Sequence, residues 1–315
     1  MDWIVQQPWS NGNVGAMGVS YDGTSAEMLA TALHPAVKAD IPSFSLFDTY
    51  ADVAYPGGVH LSWFTENWAR GNDVLDRNAV RDMSSPWWVK LILKGVKPVD
   101  DDTDGKQLVG AVASHAHNWN THDTVVSSQF RDDRWAHDPE MSIDHSSPHT
   151  HLVALEASGT AVYSYGGWLD AAYPLAAIRR YLSLSNPDNR LVIGPWNHGG
   201  TQHAGPQGQR ETAFDHLAEQ IRFFDTHLKG VDTGIQEEEP IHYYTMGAEK
   251  WKAVRTWPPK ANMTPFYFYS GNRLSLEKPQ EAGASDRYRV DCTYCPLELP
   301  DRQRAGRLSR PRAGR

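Results

Sequence analysis

A chain of 315 residues with 40% hydrophobic content can bury one large core and part of a second. Its net charge is −8, and residues 301–315 hold six arginines against Asp301 alone, so the acidic charge lies in the first 300 residues and argues against a protein that grips phosphate backbones. No segment approaches the roughly 20 consecutive apolar residues that cross a bilayer, and Met1-Asp2-Trp3 is acidic where a secretory leader is basic, so the cytoplasm is the expected location.

In chain order, Asn13–Val19 reads as a strand that runs into Gly18-Val19-Ser20-Tyr21-Asp22-Gly23. A strand, then Ser in a glycine-flanked turn, then a helix lifts a hydroxyl clear of the backbone. Asp22 stands where G-x-S-x-G has its second glycine, so the motif alone fits a serine loop without a catalytic role better than a nucleophile. Gly23–Leu33 carries Ala26, Leu29, Ala30 and Leu33 at helical spacing, and Val37–Ile41 is a short strand. Residues 42–158 are rich in Trp, Asp and His, with Pro86–Leu93 as their best helical run. A structureless loop of that length does not fit a compact domain, so the stretch is expected to be a cap.

Ala161–Tyr165 is a strand followed by Gly166-Gly167-Trp168-Leu169-Asp170, and Leu191–Gly194 is a strand followed by Pro195-Trp196-Asn197-His198. Ser20, Asp170 and His198 therefore each follow a strand, in the order Ser…Asp…His, and a parallel sheet gathers such ends on one edge. Ala172–Leu184 and Glu211–Leu228 read as helices, residues 234–240 as a linker, and Ile241–Met246 and Pro265–Tyr269 as further strands.

These segments resemble the cocaine esterase and X-prolyl dipeptidyl-peptidase (CocE/NonD) group of serine hydrolases. Residues 7–12 leading into 18–23, Gly167–Asp170, Gly194–His198, Phe223–Gly230, Met246-Gly247 with Trp251, and Trp257-Pro258-Pro259 carry the resemblance over roughly residues 2–290. It implies an α/β-hydrolase fold with Ser20 as nucleophile, His198 as general base and Asp170 as its orienting acid. Ester or amide bonds would be cleaved through an acyl-serine, with the Tyr21 backbone N–H as one oxyanion donor and no cofactor. The expected division is a catalytic domain over 1–235 with the cap at about 42–158, a partial jelly-roll β-sandwich over 236–290, and a disordered basic tail over 291–315. In that family several strands precede the nucleophile, and one of them brings a second oxyanion donor, a tyrosine hydroxyl. Only 19 residues precede Ser20 here, so a fragment lacking the front of the sheet is expected, with an open edge that favours oligomers.

Two other classes compete. A metal hydrolase could draw on the cap histidines His115, His117, His122, His137, His145, His149 and His151, with Asp123 or Asp144, although no H-E-x-x-H spacing occurs; a non-catalytic fragment is the other. The expected metal content is none. Cys292-x-x-Cys295 has no partner pair to complete a zinc site. A small ester or peptide-like substrate is the expected partner, with no nucleic acid and no membrane. Among substrates a plain acyl ester is favoured, because Ala171, Ala172 and Tyr173 after Asp170 include no acid to hold an ammonium group.

Overall fold

Short apolar runs separated by helical segments make the chain an alternation of strands and helices, seen in a computed structural model that describes residues 1–83, 87–200, 214–280, 283 and 285–287. Helix α1 (Asp2–Val5) leads to strand β1 (Val14–Val19), helix α2 (Tyr21–Ala30) and strand β2 (Val37–Ser43). The cap follows with α3 (Ser62–Asp76), α4 (Trp87–Ile92), α5 (Lys106–His115) and α6 (Thr121–Ser127), and α7 (Leu152–Ser158) returns the chain to the sheet. Then come β3 (Ala161–Gly167), α8 (Tyr173–Ser183), β4 (Arg190–Gly194), α9 (His216–Lys229), β5 (Ile241–Thr245) and β6 (Lys250–Val254). Strands β7 (Tyr267–Tyr269) and β8 (Arg273–Ser275) form a separate hairpin.

The main sheet has the order β1-β2-β3-β4-β5-β6, parallel throughout except for β6. Parallel strands need crossovers, and the crossover helices cover both faces. Successive side chains point to opposite faces, so Val192 joins Tyr163, Tyr165 and Phe223 on the α9 face. Leu191 and Ile193 join Ala177 and Ile178 on the α8 face. Every residue of β3 and β4 is buried, whereas β1, at the sheet edge, leaves Met17 50% and Val19 41% exposed.

One sequence expectation changes. The boundary at residue 235 does not separate two sheets. β5 pairs parallel with β4 through Leu191↔Ile241, and β6 pairs antiparallel with β5, so both extend the main sheet rather than opening a β-sandwich. The run of residues 241–245 is apolar enough to be buried against β4, and sequence periodicity alone does not say which sheet a strand joins. The helix before the linker is described from His216, with the Asp215 side chain accepting from the Ala218 N–H at 3.0 Å as its cap. Its expected start at Glu211, the Cys292/Cys295 pair and the basic tail lie outside the described residues.

Candidate active site

The register brings Val19, Ser43 and Tyr165 level, and Gly167 level with Gly194, so the residues that follow β1, β3 and β4 emerge on one edge of the sheet. Ser20 is the N-cap of α2 at φ 64°, ψ −132°, a conformation that a non-glycine residue holds only when its surroundings force it. Its N–H donates to the Ser43 carbonyl at 3.0 Å and its carbonyl accepts from the Thr24 N–H at 3.1 Å, which pins the turn at both ends. Gly18 is required by contact: a Cβ there would lie 2.4 Å from the Asp22 backbone. Tyr21 opens α2, so its N–H is one of the four at a helix start that have no intrahelical carbonyl.

The Asp170 and His198 loops are tied to each other. The Trp168 N–H donates to the Gly194 carbonyl at 2.9 Å and the Leu169 N–H to the Trp196 carbonyl at 3.0 Å. Gly167 permits this approach, since a Cβ there would meet the Trp196 carbonyl oxygen at 2.3 Å. Trp196 is fully buried and stacks on Tyr165 at 5.8 Å, which anchors the strand end that carries His198. The result is a hydrogen bond from His198 Nδ1 to Asp170, 2.9 Å to Oδ1 and 3.0 Å to Oδ2. Burial raises the Asp170 carboxyl above its ordinary pKa, and the bond and charge of His198 pull it back. With Nδ1–H donating to the carboxylate, the neutral imidazole keeps its lone pair on Nε2. The Asp170 side chain is 5% exposed and that of His198 is 44% exposed, so the acid is shielded while the imidazole stays open to a reactant.

Tyr173 lies beside this pair and lines a cavity with Ser20. Among the described residues no hydrogen bond joins the Ser20 side chain to His198 or to Tyr173. The Tyr173 ring lies 5.1 Å from the His198 ring. Ser20 and Tyr173 share the wall of a cavity of about 180 Å³ with Leu46, Val53, Phe64, Trp68 and Val125, the last four from the cap and the segment leading into it. A cavity of that size and apolar character takes a short acyl chain or a single ring. A larger cavity, about 330 Å³, lies between α7 and the starts of β3 and β4, at the other end of the strands, and no histidine lines it.

The cap histidines do not converge. His115 pairs with Asp76 at 3.3 Å, His122 lies 2.8 Å from the Thr65 hydroxyl, and His137 stacks on Trp119 and Trp135. Among the described residues, the grouping with metal-ligand spacing is Asp48, Asp144 and His149. Arg131 already fills it, 3.0 Å from Asp48, 3.2 Å from Asp144 and 3.0 Å from His149 Nε2. Its guanidinium offsets the carboxylate charge that a divalent ion would use.

Sequence reasoning passed over Tyr173, which was considered only as a position without an acid, and over the ion pair beneath the site. Arg180 on α8 donates to Glu27 on α2 at 2.8 Å, to Ser45 Oγ at 3.1 Å and to the Leu46 carbonyl at 2.8 Å. Both side chains are buried, so this pair links the helix after Ser20 to the helix after Asp170. A charged residue on an otherwise apolar helix face was the available signal.

A parallel sheet with a strained serine elbow and an Asp–His pair on its edge defines the α/β-hydrolase fold, and solved structures agree. An aminopeptidase from a marine-sediment Thaumarchaeota archaeon superposes with a TM-score of 0.62 at 23% identity, over 90% of this chain and 46% of that one. Residues 1–200 match the X-Pro dipeptidyl-peptidase (S15) family, and the chain belongs to that family. It is 45% identical over 311 residues to a Mycobacterium bovis protein named as a serine esterase, covering 93% of this chain and 49% of that protein. It is 27% identical over 282 residues to the cocaine esterase of a Rhodococcus species, covering 85% of this chain and 46% of that enzyme. The chain thus spans about half the length of the curated relatives it matches. Among the described residues no helix is long and apolar enough to cross a membrane.

Proposed function

We propose that the protein is a serine hydrolase that cleaves small acyl esters through an acyl-serine intermediate. The observation that carries this reading is the Asp170–His198 hydrogen bond at 2.9 Å, on the same sheet edge as a serine held at positive φ. Ser20 Oγ attacks the substrate carbonyl, its proton passes to His198 Nε2, and the electron pair of the C=O bond moves to oxygen. Asp170 fixes the imidazole orientation and stabilises the imidazolium. The Tyr21 N–H donates to the oxyanion, and one such donor is worth about two to three orders of magnitude in rate. His198 then protonates the leaving alkoxide, and water, deprotonated by the same imidazole, releases the acid. The apolar cavity beside Ser20 supports an acyl ester, and the absence of a carboxylate at residues 171–173 counts against recognition of a free α-amino group.

The test is covalent labelling of the purified chain with a fluorophosphonate, followed by peptide mass spectrometry. Label on Ser20, lost in Ser20→Ala and indifferent to EDTA, is expected. Turnover of p-nitrophenyl esters that persists in Ser20→Ala and stops on chelation would replace this reading with the metal-dependent one.

A further inference from the structure

We infer that Phe44 is a positioning residue of the reaction: its ring supports the loop that carries His198 and holds the imidazole in the orientation from which Nε2 serves Ser20. The inference rests on the serine-hydrolase reading above and adds a residue outside the triad.

Phe44 follows β2 directly and stands at φ 48°. A bulky side chain holds the left-handed region only when its surroundings force it, and such strain gathers at functional sites. Here it changes the face to which the ring points. Ala39 and Ile41 of β2 lie on the α9 face, so strict alternation would send residue 44 to the opposite face. The left-handed turn instead returns the Phe44 ring to Ala39, Ile41, Tyr165 and Trp196 on the α9 face. The Phe44 N–H donates to the Tyr165 carbonyl at 2.9 Å, so β3 holds the turn in place.

On that face the ring meets the loop after β4. Phe44 lies edge-to-face with Trp196, 6.2 Å between ring centroids, and with His198, 6.4 Å at an interplanar angle of 72°. Aromatic rings favour this arrangement. A Cβ on Gly200 would stand 3.3 Å from Phe44 Cζ, so the tip of the ring lies close against that backbone. The Gly200 N–H closes a turn on the Asn197 carbonyl at 3.0 Å, with His198 inside the turn. One ring thus lies against residues 196, 198 and 200, two strands away from its own. Its neighbour Ser43 accepts the Ser20 N–H on its carbonyl at 3.0 Å. Two consecutive residues at the end of β2 therefore hold the turn of the nucleophile and the loop of the base.

The triad needs such a support. Asp170 holds His198 through Nδ1 alone. A hydrogen bond at one end of the imidazole leaves the ring free to swing about that end and carry Nε2 away from the serine proton. A ring packed beside the imidazole and under its turn removes that freedom. Displacing a reacting group by about 1 Å costs roughly 100-fold in rate. Phe44 is not among the described residues that line the cavity beside Ser20, so its loss falls on proton transfer rather than on substrate binding.

The experiment compares the wild-type chain, Phe44→Leu and Phe223→Leu by p-nitrophenyl butyrate kinetics, fluorophosphonate labelling rate and melting temperature, with the rates taken below all three melting transitions. Phe223 belongs to the same buried core, but its ring lies against Tyr163 and His227 rather than the triad. Both variants should melt below wild type. Phe44→Leu should lower kcat and the labelling rate roughly 10–100-fold with KM little changed, while Phe223→Leu keeps kcat within about twofold of wild type. Wild-type kcat and labelling in Phe44→Leu, or an equal loss of kcat in both variants, overturns the inference. Phe44→Met fills much of the volume without a ring, so it decides the question if Phe44→Leu folds poorly: the same fall in kcat is expected, and a wild-type kcat overturns the inference. Turnover and labelling that persist in Ser20→Ala would mean that the serine-hydrolase reading has failed; dependence on Ser20 with an unchanged Phe44→Leu removes only the role of Phe44.

Discussion

The two halves of the candidate site rest on unequal foundations. Asp170 and His198 follow β3 and β4, whose residues are all buried and whose loops are joined by two backbone hydrogen bonds. Ser20 follows β1, an edge strand with half-exposed Met17 and Val19. The acid–base pair is correspondingly assembled at hydrogen-bond distance, whereas among the described residues no hydrogen bond joins Ser20 to His198. The difference teaches that sheet burial, more than loop sequence, fixes how well a catalytic side chain is held in place. What couples the weaker half to the stronger is the buried Glu27–Arg180 pair.

The largest expected effect breaks the strong half. Asp170→Asn keeps the shape of the side chain but loses the charge that orients His198, so kcat should fall by about 10⁴-fold. Steady-state kinetics on p-nitrophenyl esters measure this, and a loss under tenfold would mean that His198 is oriented by something else. Next comes the coupling. Arg180→Met leaves Glu27 buried and unpaired, and should cost about 3–5 kcal/mol in urea unfolding. Adding Glu27→Leu to the same chain should recover most of that loss; no recovery would show that the Arg180 contacts to Ser45 and Leu46, rather than the ion pair, carry the stability.

A matched pair sharpens the comparison directly. Ile193→Ala on fully buried β4 should cost about 2–5 kcal/mol, while Met17→Ala on the exposed edge should cost less than about 1 kcal/mol. Equal losses would contradict the contrast between the two strands.

The smallest effect is a pH dependence. Asp40 on β2 is fully buried, and neither carboxylate oxygen has a hydrogen-bond partner. Burial holds its pKa well above the ordinary aspartate range; Glu27 adds to the rise and Arg180 opposes it. A folded pKa above the unfolded one means that the folded state binds more protons. The associated stability is therefore present below about pH 4 and is lost as pH rises through the raised folded value. Asp40→Asn removes this slope, so its melting temperature should exceed that of wild type increasingly as pH rises. The scale is about 2–4 °C for each kcal/mol. Parallel melting curves for the two chains across pH 4–8 would refute it.

By itself the sequence determined the alternation of strands and helices, because buried apolar runs and helical spacing are local properties. It also determined the strand-end placement of Ser20, Asp170 and His198, because glycine-flanked turns after apolar runs are written in adjacent residues. Gly18 was legible for the same reason: it marks a backbone approach that a Cβ would block. Only the tertiary structure decided that β5 and β6 extend the main sheet, since pairing partners far apart in sequence are chosen by which faces need covering. It alone put Arg131 among Asp48, Asp144 and His149, residues drawn from segments about a hundred positions apart. It alone put Tyr173 and Ser20, 153 positions apart, on the wall of one cavity, because strand pairing decides which loops meet at a sheet edge.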